Sequence, residues 1–198
     1  MTDNLIAENK QRYLDLIKSI NVEGSDIPRL INWLNSSDFF EAPASTKYHG
    51  AYKGGLCEHS LNVYDTLCDL ARNFCLHEYS EDTLKIVALM HDISKANYYE
   101  QYNRNVKDMN GNWTQVVEYK VRDNKDRFIY GNHEQNSEFI AHTFFPLSVE
   151  ESCAILHHHG GMGFDSSQVD LTPIYNKYSL ACLLHVADMI SCYIKEKI

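Results

Sequence analysis

The sequence predicts an all-α protein, a helical bundle interrupted by one small β-hairpin at about residues 98–122. Apolar residues recur at three- and four-residue spacing through most of the chain, as one buried face of an α-helix requires. The exception is a tyrosine- and valine-rich stretch split by Asn110-Gly111. Asn-Gly between β-prone runs is the strongest short hairpin signal. A third feature bears on purpose rather than fold: His59, His91, His157, His158, His159 and His185 stand at the ends of apolar helices instead of on polar surfaces.

Taken in order, residues 4–20 predict a helix striped by Leu5, Ile6, Tyr13, Leu16, Ile17 and Ile20, ended by Gly24. Ser25 and Asp26 can cap the next helix, with Pro28 in its first turn. From Ser36 to Gly55 the periodicity fails, and Phe39, Phe40, Tyr48, His49 and Tyr52 suggest an ordered, packed loop. A helix over 57–76 follows, with His59 in its first turn. Ser80 then caps a helix that runs to Lys95, with Glu81 and Asp82 near its positive end. After the hairpin, helix resumes at about 134–145 and breaks at Pro146. Ser148 and Glu151 form a capping-box pattern for a helix leading to the triple histidine, which Gly160, Gly161 and Gly163 stop. A final helix spans about 175–196, after a loop of about a dozen residues.

With 198 residues, 44% of them hydrophobic, the chain suits one domain spanning 1–198. Residues 1–35 form its N-terminal helical flank and 97–131 its hairpin insertion. No stretch approaches the roughly 20 apolar residues of a membrane span. Met1-Thr2-Asp3-Asn4 lacks both parts of a secretion signal, so a cytoplasmic location is expected. The six cysteines form no Cys-x-x-Cys pair and read as small apolar residues. A net charge of −9 speaks against non-specific binding to duplex nucleic acid.

The polar residues that break the apolar stripes form a pattern. Leu84, Ala88, His91 and Lys95 fall on one helix face, which Asp92 also reaches. Asp188 follows His185 by three residues on another apolar helix. A buried charge must be paired or bound to metal. Imidazoles and carboxylates without thiolates suit a borderline or hard divalent ion, and helix bundles build such sites from facing helices. Three consecutive helical residues span about 200° of the helix circumference, so His157, His158 and His159 cannot all face one ion.

The order His59, His91-Asp92, His133, a histidine within 157–159, then Asp188 resembles the HD-domain superfamily of metal-dependent phosphohydrolases. The resemblance covers roughly residues 36–195. Gly54-Gly55-Leu56-Cys57-Glu58-His59-Ser60-Leu61 is similar to a segment of small stand-alone HD hydrolases and of the related 3′–5′ exoribonucleases. His91-Asp92-Ile93-Ser94-Lys95 matches the His-Asp-x-x-Lys signature, and His185-Val186-Ala187-Asp188 resembles the closing segment. The resemblance implies that His59, His91, Asp92 and Asp188 hold a first metal ion. Asp92 would bridge to a second ion held by His133 and one later histidine. Laying the family's Ala-Ile-x-x-His-x-Gly-Gly segment on Ala154-Ile155 and Gly160-Gly161 selects His158. His159 then faces substrate or supports the ligands, and His157 is peripheral. His49 is a candidate phosphate contact. Lys95 is expected to hold a phosphate, with an ion pair to Asp92 as its alternative. His185 is expected to pack in the core, and His77 and His142 to be ordinary surface or packing residues.

The implied chemistry is hydrolysis of a phosphate mono- or diester by metal-activated hydroxide, with one or two divalent ions (Mn, Fe, Ni, Mg or Zn) as cofactor and Asp92 and Lys95 as catalytic residues. Size and acidity favour a phosphate-containing small molecule, a nucleotide or short oligonucleotide, over long RNA. The Gly-Tyr-Pro segment of cyclic-dinucleotide phosphodiesterases is absent: the chain reads Gly160-Gly161-Met162-Gly163-Phe164-Asp165. Two alternatives use the same residues. One is an HD-type di-iron oxygenase, the other a non-catalytic metal- or nucleotide-binding regulatory module.

Overall fold

Side-chain caps set where most of the helices begin. The structure, a computed structural model, describes residues 1–74, 79–160 and 170–196. Thr2 caps α1 (Asp3–Lys18), Asp26 caps α2 (Ile27–Ser36) and Ser80 caps α4 (Glu81–Met90). Asn132 with Gln135, and Ser148 with Glu151, form reciprocal boxes that open α5 (His133–His142) and α6 (Val149–Leu156). Each box satisfies two N–H groups that a helix start otherwise leaves open. The cap of α3 (Gly55–Asn73) is Gly54, at a left-handed φ of 83°. Gly55 is constrained differently: a Cβ there would lie 2.1 Å from the Gly50 carbonyl oxygen. The paired glycines let the aromatic loop press against the start of α3, which sets the height of His59.

Helix α3 lies at the centre, packed against α1, α4 and α8 (Ser179–Ile190), while α6 packs on α4, α5 and α8. Leu56, Leu67, Ile86, Leu89, Ile155 and Leu184 fill the space between them and are fully buried. Tyr13 seals the far side. Its ring lies 4.9 Å from that of Phe39, and its hydroxyl donates to the Leu89 carbonyl at 2.6 Å. That carbonyl belongs to the last turn of α4, where no intrahelical donor remains. The N-terminal flank is thus bound to the segment that ends in His91-Asp92. Among the described residues, no helix is long and apolar enough to cross a membrane.

The hairpin forms as expected, β1 (Tyr99–Lys107) pairing antiparallel with β2 (Trp113–Val121) in the register Tyr99↔Val121 to Lys107↔Trp113. Asn110-Gly111 is not a two-residue turn. It sits inside a loop over 108–112, in which the Asp108 carboxylate accepts from the N–H groups of Asn110 and Asn112, both at 2.8 Å. At the base, Arg122 pairs with Asp38 at 3.0 Å. Beyond it, most of both strands is exposed, Trp113 and Val117 included.

Several boundaries differ from expectation. Helix α1 stops at Lys18, well before Gly24, because Ser19 already closes its last turn. Helix α4 stops at Met90 rather than running to Lys95, and Ile93–Lys95 form a single 3-10 turn. Adjacent residues of a continuous helix point about 100° apart, so the break is what lets His91 and Asp92 face one centre. Helix α6 ends at Leu156, and His157–His159 lie in a turn, not on a helix. The final helix is three pieces: α7 (Thr172–Lys177), α8, and a widened turn over Ser191–Lys195. The Glu150 carboxylate of α6 accepts from the Leu180 N–H at 3.2 Å, and the Tyr79 hydroxyl meets Ser179 Oγ at 2.6 Å. These contacts supply α8 with a start that its own sequence does not encode. Cys75, His77, Gly161, Gly163 and the run Met162 to Asp165 lie outside the described residues.

Candidate metal centre

The break after Met90 places Asp92 between two groups of imidazoles. Asp92 Oδ2 lies 3.5 Å from His91 Nε2 and 3.7 Å from His59 Nε2. Asp92 Oδ1 lies 3.5 Å from His158 Nε2 and 3.9 Å from His133 Nε2. The first group is completed by Asp188, whose Oδ1 is 3.2 Å from His59 Nε2. His159 joins the second group, and its Nε2 is 3.5 Å from Asp188 Oδ2. Five segments therefore converge: the starts of α3 and α5, the ends of α4 and α6, and the last turn of α8.

Each imidazole is oriented from behind. His91 Nδ1 meets the Ala88 carbonyl and His158 Nδ1 meets the Ile155 carbonyl, both at 2.7 Å. Carbonyls only accept, so both Nδ1 atoms carry the proton and both Nε2 atoms are free to bind. His59 Nδ1 lies 3.1 Å from Glu196, which Asn62 holds at 2.9 Å. Glu134 meets His159 Nδ1 through Oε1 at 3.2 Å, while its Oε2 lies 3.1 Å from His133 Nδ1 as a charge contact without hydrogen-bond geometry. Carboxylates behind ligating histidines fix the tautomer and raise ligand basicity.

The cluster is almost dry, and its electrostatics follow from that. Burial pulls His91 down to about 3, against the nearby Asp92 charge. Burial together with the Lys95 charge takes His133 to about 3. His59 is pulled the same way by burial, but its contacts with Asp188 and Glu196 outweigh that and lift it to about 10. Burial would raise Asp92, yet Lys95 and the surrounding histidines hold it well below the ordinary carboxylate range. Lys95 is itself raised: Asp92 overcomes the cost of burial, and Nζ lies 2.6 Å from Oδ2. The Cys192 thiol donates to Asp188 at 3.2 Å, and burial beside that carboxylate pushes its pKa far up. Its Sγ also groups with His49 and His59 at metal-ligand spacing, at the edge of the nitrogen and oxygen donors.

These residues fit divalent ions. Asp92 Oδ1, His133 Nε2 and His158 Nε2 are buried and, among the described residues, lack hydrogen-bond partners. Three acceptor-type atoms facing one another would be costly unless a cation lay between them. Potential ligand atoms lie within 4.8 Å of one another in the groups His59/His91/Asp188, His91/Asp92/His158 and His133/His158/His159.

All six residues expected as ligands (His59, His91, Asp92, His133, His158 and Asp188) meet here. His159, expected beside the ligands, has an Nε2 facing inward like theirs. Lys95 forms the ion pair with Asp92 that was its alternative role. The His49 ring lies 4.8 Å from that of His59, and burial lowers its pKa to about 4. His185 does more than pack: its Nδ1 meets the His158 carbonyl at 2.6 Å, and Gly160, at φ 63°, leaves it room. His142 lies at the surface beside Glu138. Sequence reasoning missed Glu134 and Glu196. Glu134 follows a predicted ligand and reads as an ordinary acid in a first helical turn. Glu196 reaches His59 only because the turn over 191–195 is widened, which no local pattern signals.

Fold and cluster together define a class: helical proteins that gather buried histidines and aspartates into a centre suited to divalent metal. The family model described as HD domain matches residues 56–191, and the chain belongs to the HD-domain family, a superfamily of metal-dependent hydrolases. No curated protein and no solved structure matches the sequence.

Proposed function

We propose that this protein is a metal-dependent phosphohydrolase that cleaves a phosphate mono- or diester of a nucleotide or short oligonucleotide. The observation that carries this reading is Asp92, whose two oxygens face separate imidazole groups, the disposition of a bridging ligand. His59, His91, Asp92 and Asp188 would hold one ion. Asp92, His133 and His158 would hold the other, with His159 as a further donor. When bound, divalent ions supply an activated water and positive charge for the phosphoryl oxygens. Manganese, iron, nickel, magnesium and zinc all suit the donors.

The remaining chemistry belongs to the chain. Glu134 holds His159, and Glu196 holds His59, with Nε2 inward, so the centre needs little rearrangement when substrate arrives. Lys95 keeps a positive charge beside Asp92 and can turn toward a non-bridging phosphate oxygen. His49, neutral at pH 7, can donate or accept a hydrogen bond at the edge of the first group without adding charge.

The test is metal analysis and hydrolysis of generic phosphate mono- and diesters by the same purified sample. Bound transition metal, turnover with Mn²⁺, Ni²⁺ or Mg²⁺, and loss of both in Asp92→Ala are expected. Full hydrolysis by metal-free Asp92→Ala protein would refute the mechanism. Iron content with oxygen consumption, and no ester cleavage, would replace it with an oxygenase.

A further inference from the structure

A second cleft lies beside the 3-10 turn, lined there by Ser94, Ala96 and Asn97. Its volume is about 550 Å³, within the roughly 300–1,000 Å³ of small-molecule sites. Arg29, Lys125 and Arg127 line it, against a single carboxylate, Asp126. In a chain of net charge −9, such a local excess of cations is a departure that calls for an anion. The other walls are flat rings. Phe128 and Phe139 stack at 5.7 Å and 24°, and both are more than a third exposed. Trp33 lies 6.2 Å from Phe144, and the Arg29 guanidinium sits over Phe144 at 5.3 Å.

Arg127 supplies the most specific sign. Its guanidinium lies over the Tyr98 ring at 4.7 Å, and its Nη2 donates to Asn124 at 2.5 Å. Its Nε is sealed from solvent and, among the described residues, has no hydrogen-bond partner. Nε itself is beyond a ligand's reach, but the guanidinium it belongs to is held in place at the cleft wall, where its positive charge favours an anion. None of these side chains belongs to the metal centre. The cleft extends along α5 to Thr143, about 15 Å from His133 at 1.5 Å per residue.

From these features we propose that this cleft is a binding site for a mononucleotide. Its base stacks on the exposed rings, and its phosphate is held by Arg29 and Arg127 with Lys125 at the rim. Rings alone would suit any apolar group, and cations alone any small anion. The pairing of both within one ligand-sized volume selects a planar ring that carries phosphate. This site does not depend on the chemistry of the metal centre. Its nearest link is Ser94, which lines the cleft and donates through Oγ to the His133 carbonyl at 2.8 Å.

The test is titration of the full-length protein with ADP in excess EDTA, so that metal-dependent binding is silent. Trp33 and Trp113 are the two tryptophans of the chain. In a Trp113→Phe background, Trp33 alone reports on the cleft. Saturable quenching by ADP is expected, weakened by salt, with adenosine binding about tenfold more weakly. Arg127→Gln and Lys125→Gln should each weaken ADP, Arg127→Gln by about tenfold or more, with melting temperature and metal content unchanged. Lys125 is exposed, so its variant keeps the test valid if Arg127→Gln fails to fold. Absence of saturable quenching at millimolar ADP overturns the proposal, as does an ADP affinity unchanged in both variants. Binding of a short single-stranded RNA a hundredfold tighter than ADP would overturn it in favour of an RNA surface.

Discussion

The metal centre and the β-hairpin are built on opposite principles. In the centre, side chains from five segments meet in an almost dry space, and the cluster forms only where partners distant in sequence come together. In the hairpin, backbone pairs with backbone over a few residues, and most side chains face water. The first is costly to perturb and the second tolerant. Polar groups buried without water lose heavily when one partner goes, whereas exposed strand positions exchange one solvated side chain for another.

That contrast can be broken or sharpened by experiment. The largest effect should come from Asp92→Ala, which removes the carboxylate between both histidine groups. Activity should fall on the order of a thousandfold or more, about 4 kcal/mol, with stoichiometric metal lost in elemental analysis. Next is the apolar support. Leu89→Ala, directly behind His91, should cost about 2–5 kcal/mol in urea unfolding. A cost below about 1 kcal/mol would mean that the end of α4 relaxes, and that the centre is less rigid than its burial implies.

Glu134→Gln should lower metal affinity by about 10–100-fold while leaving the melting temperature of the metal-free protein nearly unchanged. An unaltered metal isotherm would show that His133 and His159 orient themselves unaided. The hairpin gives the smallest response. Val117→Lys should shift stability by no more than about 0.5 kcal/mol and leave metal binding unchanged. A larger loss would reveal that the exposed face of β2 is covered by something in solution.

Acidity offers a separate measurement. His91 and His133 stand at about 3 in the fold against an ordinary 6.5. Between those values the unfolded chain binds protons that the native chain refuses. Stability of the metal-free protein therefore falls as pH drops from 6.5 toward 3, by up to about 1.4 kcal/mol per pH unit for each histidine. His59, raised to about 10, works oppositely. Its contribution is complete below 6.5 and is lost as pH rises toward 10. Thermal melts of the metal-free protein should accordingly peak near pH 6.5 and decline on both sides, and a monotonic profile would contradict either the burial of His91 and His133 or the carboxylate contacts of His59.

Much of this was legible before any coordinates. The caps at Asp26, Ser80 and Ser148 acted as their residue types suggest, and the hairpin lies where the β-prone run predicts. The histidines and aspartates at the ends of apolar stripes do converge. What was hidden depends on contacts between distant segments. Local periodicity carries α4 through to Lys95, because nothing in Leu89-Met90-His91-Asp92 breaks a helix. The chain turns there because both polar groups must face the same centre. The start of α8 is completed by Glu150 from α6, and the widened turn over 191–195 makes sense only beside Thr66 and His59, since Ser191 Oγ meets Thr66 Oγ1 at 3.2 Å. His157, His158 and His159 were judged on helical geometry, and the turn they occupy lets both His158 and His159 face inward.

The contact between His59 and Glu196 joins positions 137 residues apart in sequence. During synthesis, α3 and α4 emerge and can pack long before the last turn leaves the ribosome. His59 therefore acquires its Nδ1 partner, and Asp188 its place beside it, well over a hundred residues after His59 itself has been made. The centre is therefore completed only once residue 196 has been made, and a nascent chain stalled before it would carry the histidines without their full support.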